Sequence, residues 1–205
     1  EDRQASGAVL FDNCLDKWAT FDEDGTRRLT IFTDGSCLDP LHRLARAGWS
    51  AILGNSSEDA CVSGPVKSTV QTSYRAELRA VAEAICCAKV HYNVKSDCKS
   101  IVNQLNHYLV HRIRPQSTPA PRLWNFIYDM LDITPNDFAK FTWIPGHLDD
   151  EHKCEKYKSL FDSGLVTGSD KEGNILADKH AAKGANMHSL PPDIYTSIGD
   201  RANLT

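Results

Sequence analysis

The 205-residue chain has no long hydrophobic run, no CxxC cysteine pair and no strong net charge, and each absence excludes a class of protein. Because 18 apolar residues never follow one another without interruption, a membrane-spanning helix is excluded. The seven cysteines are odd in number, which favours reduced thiols inside a cell, in the cytoplasm or nucleus, over a disulfide framework. Hydrophobic residues make up 41% and charged residues 24%, which excludes a disordered or fibrous chain.

The small net charge of −4 is unevenly distributed along the chain. Residues 1–27 carry all of it and the remainder is neutral, so we expect an acidic N-terminal arm or linker over 1–27. A domain is expected over residues 28–188 and a polar C-terminal tail over residues 189–205. A neutral domain still binds a polyanion where bound cations offset its acids, so charge excludes no nucleic-acid function.

Hydrophobic periodicity predicts an α/β fold with the element order β-β-β-α-β-α-α-β-α. Three strands joined by hairpins and then strands alternating with helices indicate a five-stranded mixed sheet flanked by helices. The strands are predicted at 28–33, 48–53, 60–66, 92–96 and 138–144. The helices are predicted at about 73–90, 101–113, 123–131 and 174–185. Residues 148–173 are polar and are predicted to be an inserted loop, which is long enough to be functional or disordered.

Four carboxylates lie near the ends of these elements. Asp34 closes the first predicted strand and Asp97 follows the fourth, where ligands usually bind in α/β sheets. Glu77 and Asp178 lie one turn inside their predicted helices, each on an apolar stripe that faces the sheet. Any one of these acids alone is more typical of a cap, a turn or a solvated charge. Four of them together favour a site for divalent cations, and oxygen ligands favour Mg²⁺ or Mn²⁺.

Five short motifs contain these acids and lie in a fixed order along the chain. They are Ile31-Phe32-Thr33-Asp34-Gly35-Ser36, Thr72-Ser73-Tyr74-Arg75-Ala76-Glu77-Leu78, Ser96-Asp97, Trp143-Ile144-Pro145-Gly146-His147 and Asn174-Ile175-Leu176-Ala177-Asp178. No single motif is decisive, but together they resemble type 1 ribonuclease H over about residues 28–188. The resemblance implies an RNase H-like fold and a hydrolase that cuts the RNA strand of RNA/DNA hybrids.

The resemblance also implies a two-metal mechanism. Asp34, Glu77, Asp97 and Asp178 would bind two Mg²⁺ ions about 4 Å apart, with Mn²⁺ as a substitute. One ion would activate the attacking water and the other would stabilise the leaving 3′ oxygen of the RNA. His147 would assist proton movement and product release from a mobile loop.

Substrate contacts implied by the resemblance fall on polar and basic residues near these motifs. They are Gly35, Ser36, Thr72, Ser73, Arg75 and Asn174. Arg75 is equally well explained as an ion-pair partner within the fold. Arg112, Arg114 and Arg122 stand where the family carries a basic substrate handle. Because this handle holds only three arginines and His111, we expect weak binding by the isolated domain.

The sequence departs from the family at several places. Tyr74 stands where a small amide is frequent, and the insertion at 148–173 would displace His147 if it rearranged the loop. Trp124 is either a stacking surface for the DNA strand or, as we favour, part of a helix core. A zinc site is a weaker interpretation, because its fourth ligand is undefined. Its three ligands would be His147, His152 and Cys154.

Two other functional interpretations stay open. The insertion and the modest basic patch are compatible with a non-catalytic nucleic-acid-binding or tethering domain of the same fold. A transposase, integrase or exonuclease of the wider superfamily is a third class, but the helix at 174–178 and the W-x-x-G-H loop argue against it. The missing initial methionine and the acidic arm favour a retroelement polyprotein with a reverse transcriptase upstream. In such a protein the domain is expected to be monomeric and to have no membrane partner.

Overall fold

The computed structural model describes residues 19–21, 25–40, 44–54, 61–88 and 90–188. These residues form a six-stranded mixed sheet flanked by helices. The strands are β1 (Ala19–Phe21), β2 (Arg27–Leu38), β3 (Arg46–Leu53), β4 (Cys61–Pro65), β5 (Tyr92–Ser96) and β6 (Ala139–Trp143). The helices are α1 (Ser73–Cys87), α2 (Lys99–His111), α3 (Pro121–Asp132), α4 (Glu151–Lys156), α5 (Lys158–Asp162) and α6 (Gly168–Asn186).

The sheet has the order β4-β3-β2-β5-β6, with β1 paired to the start of β2. The β2–β3 and β3–β4 pairs are antiparallel, whereas β2–β5 and β5–β6 are parallel. This arrangement confirms the predicted mixed sheet of hairpin-connected strands followed by strands alternating with helices. The short strand β1 is an addition within the segment predicted to be an arm, and its three residues are too few to show a period of two.

The helices cover both faces of the sheet. Ile31 belongs to a buried cluster with Leu78 of α1 and Trp124 of α3. The next residue, Phe32, belongs instead to a cluster with Ala177 of α6. Since successive strand residues point to opposite faces, α1 and α3 lie on one face and α6 lies on the other. Trp124 has no exposed surface, which confirms the helix-core interpretation.

Helix α6 starts earlier than predicted, at Gly168 instead of about Asn174. Its start is fixed by a capping box, in which Thr167 accepts a hydrogen bond from the Asp170 backbone N–H and the Asp170 carboxylate accepts one from Thr167. Further along, the side-chain hydroxyl of Ser50 in β3 donates to the Ala177 carbonyl at 2.7 Å. Small side chains therefore let α6 lie close to β3, as the alanine-rich sequence predicts.

The prediction of an inserted loop at 148–173 is wrong, because this segment forms α4, α5 and the first turns of α6. The helices α4 and α5 have 6 and 5 residues, which is too short to show helical hydrophobic periodicity. The segment is held to the domain by two fully or nearly fully buried side chains, Leu148 and Val166.

The prediction that Asp34 closes a strand is also wrong. Strand β2 continues to Leu38, and Asp34 lies within it, opposite Ser50 of β3. The Asp-Gly pair at 34–35 is typical of a turn, but the antiparallel partner β3 runs alongside it and keeps it extended. Strand pairing therefore determines the backbone conformation at this position, although the local sequence favours a turn.

Several predictions fall on residues that the structure does not describe. These are most of the acidic arm, the tail from 189 onward and the hairpin connection beyond Gly54. None of the helices within the described ranges is long and apolar enough to cross a membrane. The six cysteines in these ranges are free thiols.

Candidate active site

Three of the four predicted carboxylates meet at one point of the sheet. Asp34 comes from β2, Glu77 from α1 and Asp97 from the residue after β5. One carboxylate oxygen from each lies within 4.8 Å of the other two. The parallel register of β2 and β5 pairs Thr33 with Ser96, so Asp34 and Asp97 follow at the same level of adjacent strands. We call Asp34, Glu77 and Asp97 the acidic trio.

Gly35 makes the approach of Glu77 possible. A Cβ atom built at Gly35 would lie 2.0 Å from the backbone nitrogen of Glu77, so any side chain here would push α1 away from β2. Helix α1 begins one turn earlier, where the Thr72 hydroxyl accepts a hydrogen bond from the Arg75 backbone N–H at 3.2 Å. The T-D-G-S motif therefore supplies both a carboxylate and the contact that positions a second one.

The end of β6 and the segment after it position the third carboxylate, Asp97. A Cβ atom built at Gly146 would lie 2.0 Å from Oδ2 of Asp97, and the indole N–H of Trp143 donates to the Asp97 carbonyl at 3.0 Å. His147 follows with a φ of 54° and an exposed side chain. Trp143 and Gly146 are thus positioning residues that the sequence analysis did not assign. Both belong to the W-x-x-G-H motif, but only its histidine was given a role.

Crowding of the acidic trio strongly perturbs its titration. Burial, followed by the charges of Asp97 and Asp178, raises the pKa of Asp34 from 3.8 to about 8. Burial and then the charges of Asp34 and Asp97 raise the pKa of Glu77 well above its ordinary value. The pKa of Asp97 is raised by burial, and this rise is opposed first by the charge of His147. The protein without a bound cation therefore retains protons in this cluster near neutral pH.

The fourth carboxylate, Asp178, approaches the acidic trio from α6. It is half-buried, and a hydrogen bond with Asp34 contributes to the raised pKa of Asp34. Its negative charge also raises the pKa of Asp97. Since Asp34 and the α6-packed Phe32 share one face of β2, Asp178 meets Asp34 on the α6 side of the sheet.

The acidic trio fits a divalent metal ion. The Oε2 atom of Glu77 is buried and has no hydrogen-bond partner, which is costly for a carboxylate unless a cation or proton compensates. All donor atoms are carboxylate oxygens, which hard cations such as Mg²⁺ prefer. Among the described residues, the acidic trio is the one group of three or more side chains placed to share a metal. The zinc interpretation finds no support, since the Cys154 thiol instead donates to the Leu148 carbonyl at 2.9 Å.

The residues predicted to contact substrate surround the acidic trio unevenly. Thr72 and Ser73 are exposed, whereas Gly35, Ser36 and Arg75 are half-buried and Asn174 is only 2% exposed. Within the described part of the chain, the Arg75 guanidinium makes no ion pair. This weakens the alternative in which Arg75 is an ion-pair partner of the fold.

Tyr74, the residue that departs from the family pattern, faces the helical core. Its hydroxyl accepts a hydrogen bond from the indole N–H of Trp124 at 3.1 Å. The larger side chain therefore bridges α1 and α3 instead of replacing a small amide at the surface.

The predicted basic handle is largely neutralised by nearby acids. Arg114 lies 2.6 Å from Asp132 and 2.8 Å from Asp129, and Arg112 lies 3.7 Å from Asp132. Both guanidinium groups also lie over tyrosine rings of α2 and α3. Of the three arginines, Arg122 alone is without an ion pair among the described residues.

Comparison with known proteins agrees with this geometry. The family model described as RNase H matches residues 26–186. The chain belongs to the RNase H family. A ribonuclease H of Saccharomyces cerevisiae is 26% identical over 176 residues, which cover 78% of this chain and 46% of that protein. This RNase H-family chain thus spans less than half of that relative's length.

Solved RNase H structures share the fold. The RNase H domain of PFV superimposes with a TM-score of 0.58 at 20% identity and covers 80% of this chain and 98% of that domain. The protease-reverse transcriptase of prototype foamy virus gives a TM-score of 0.54 at 19% identity, over 80% of this chain and 21% of that chain. These similarities confirm the RNase H-like fold expected from the sequence motifs.

Proposed function

We propose that this domain hydrolyses the RNA strand of RNA/DNA hybrids in a reaction that requires divalent cations. The observation that carries the proposal is the acidic trio, with Asp178 beside it, on an RNase H-family fold. A foamy viral protease-reverse transcriptase with a TM-score of 0.53 to this chain was solved in complex with an RNA/DNA hybrid, which supports the substrate class.

The acidic trio and Asp178 are the residues that would hold the cations, two Mg²⁺ ions or Mn²⁺ in their place. Bound cations would supply positive charge to the scissile phosphodiester and lower the pKa of the attacking water. Because the carboxyl groups of Asp34 and Glu77 bind cations in their ionised form, binding is accompanied by proton release from this cluster. The raised pKa values therefore make cation affinity increase with pH.

Proton movement is assigned to His147. Its imidazole is exposed to solvent at the edge of the acidic trio, and its charge opposes the raised pKa of Asp97. A solvent-exposed imidazole beside the reacting phosphate can exchange protons between product and water near neutral pH. The left-handed backbone at His147 directs the chain away from β6 immediately after the contact of Gly146 with Asp97.

Substrate binding is assigned to the start of α1 and to the adjoining part of β2. Thr72, Ser73 and Arg75 present hydroxyls and a guanidinium to the backbone of the nucleic acid. Arg75 is available for this role because it makes no ion pair with any residue that the structure describes. Gly35 and Ser36 lie next to them in β2, where small groups can approach the 2′-hydroxyls that distinguish RNA from DNA. Asn174 is too buried to reach far into solvent, so its role is to support α6 beside Asp178.

The decisive experiment is cleavage of an RNA/DNA hybrid with label on the RNA strand, in Mg²⁺ and in EDTA. We expect Mg²⁺-dependent cleavage, and we expect Asp97→Asn to lower the rate by at least about a hundredfold. Asp162→Asn, at an exposed aspartate of α5, is the matched control and should retain the parental rate. Equal rates for the parent and Asp97→Asn would contradict the assignment. Hybrid binding without turnover by the parent would instead favour the non-catalytic alternative.

In two of the foamy virus neighbours, both protease-reverse transcriptases, the matched region is about a fifth of the chain. This supports a retroelement origin, in which the domain is joined to a reverse transcriptase and acts as a monomeric unit. The open reading frame that encodes residue 1 tests this directly. An upstream reverse-transcriptase domain is expected, and a frame that encodes none would refute the linkage without affecting the nuclease assignment.

A further inference from the structure

Among the described residues, the proposed nuclease site has few bases free to bind a polyanionic substrate, chiefly Arg75 and Arg122. The acidic trio and Asp178 repel phosphate groups when no cation is bound, and the arginines at 112 and 114 are neutralised by Asp129 and Asp132. Further bases near the site would therefore strengthen the binding of a hybrid.

A row of two aromatic side chains flanked by two lysines begins beside Asp97 of the acidic trio. Trp143, whose indole N–H donates to the Asp97 carbonyl, has Lys99 Nζ 5.0 Å from its ring centroid. The ring of Tyr157 meets Trp143 edge-on at 6.2 Å, and Lys156 Nζ lies 5.2 Å from the Tyr157 ring. We call Lys99, Trp143, Tyr157 and Lys156 the aromatic–lysine row.

The two lysines of this row keep their charge available for a ligand. Lys99 and Lys156 are both exposed, and neither makes an ion pair within the described ranges. Glu155, the acid next to Lys156 in α4, lies 4.0 Å from Lys158 instead. Trp143 and Tyr157 are half-buried residues, so neither is enclosed in the core.

We propose that the C-terminal end of helix α4, at Lys156 and the following residue Tyr157, binds the sugar-phosphate backbone of the RNA/DNA hybrid beside the acidic trio. The inference rests on the proposed function, since it takes the substrate to be a hybrid. Lysines pair with phosphates, and half-exposed aromatic rings pack against sugars and bases without sequence preference. The insertion then compensates for the neutralised arginines by extending the binding surface through Trp143 to Asp97.

The test is the affinity for a fluorescent hybrid, measured by anisotropy at several salt concentrations in an Asp97→Asn background that leaves the hybrid intact. We expect Lys156→Ala and Tyr157→Leu each to weaken binding by about three- to tenfold, and Lys156→Ala to lower the slope of log affinity against log salt by about one. Lys67→Ala is the matched control, because this exposed lysine follows β4, at the opposite edge of the sheet from β6 and Trp143, and should bind like the background protein.

The outcomes separate this inference from the nuclease assignment. Unchanged affinity and salt dependence in Lys156→Ala would overturn the role of α4 even if the parent cleaves hybrids. Absence of any hybrid binding by the background protein would overturn it as well. If the parent binds the hybrid but does not cleave it, and Lys156→Ala weakens that binding, the result supports the binding surface at α4 and contradicts the nuclease assignment. Circular dichroism identifies a folding defect in Tyr157→Leu, in which case Lys156→Ala alone decides.

Discussion

At the scale of single residues, two glycines determine where the carboxylates of this site lie. Gly35 lets α1 approach β2 closely enough for Glu77 to join Asp34 and Asp97, and Gly146 leaves room for the carboxylate of Asp97. Neither residue carries a functional group, so their role is steric. A side chain at either position would displace a carboxylate of the acidic trio.

We expect Gly146→Ala to lower the rate of hybrid cleavage by about a hundredfold, because the added methyl group would displace the carboxylate that it meets at 2.0 Å. The measurement is the initial rate at saturating Mg²⁺, together with the melting temperature. Gly168→Ala is the control, since a Cβ there meets nothing within 4 Å. A parental rate in Gly146→Ala, with the fold intact, would contradict the positioning role.

At the scale of elements, the position of Asp178 depends on how α6 is anchored. Asp170 caps the helix together with Thr167, and the same carboxylate forms an ion pair with Lys95 of β5. Asp170 is 2% exposed and Lys95 is mostly buried, so the pair fixes the start of α6 against the sheet. Its loss would leave a lysine charge without a partner in a poorly solvated place.

We therefore expect Asp170→Ala to lower the free energy of unfolding by about 3 kcal/mol, through the lost cap and the unpaired Lys95. Urea denaturation followed by circular dichroism measures it. Asp162→Ala, at an exposed acid of α5, should change stability by less than about 0.5 kcal/mol. A similarly small change for Asp170→Ala would show that the ion pair and the cap contribute little.

At the scale of the whole molecule, the acidic trio opposes folding when no cation is present. The pKa of Asp34 is about 8 in the folded protein and near 3.8 when the chain is unfolded. Between these values the folded state binds the proton more tightly than the unfolded state. The stability contributed by this proton is complete below about pH 4 and is lost as the pH rises toward 8.

We expect the metal-free protein to lose a few kcal/mol of stability between pH 5 and pH 8.5, since each unit between folded and unfolded pKa corresponds to about 1.4 kcal/mol. Asp34→Asn should remove the share of this dependence that comes from Asp34 and be more stable than the parent at pH 8.5. Part of the dependence should remain, because burial also raises the pKa of Glu77 and of Asp97. Mg²⁺ should stabilise the parent at pH 8.5 and the variant much less. Parallel pH profiles for both proteins would contradict the raised pKa of Asp34.

Much of this organisation could be predicted from the sequence, because it depends on local patterns. The order of strands and helices follows from hydrophobic periodicity. The motifs identify the carboxylates at 34, 77, 97 and 178 as candidate site residues. Tertiary contacts decided the rest. Pairing with β3 keeps Asp34 within a strand, and packing turns 148–173 into helices. Ion pairs between the residues that follow α2 and the acids of α3 neutralise two of the arginines. The distances among the three carboxylates of the acidic trio could not be predicted from local patterns either. They depend on close approaches at Gly35 and Gly146, and these contacts join residues that are far apart in the chain.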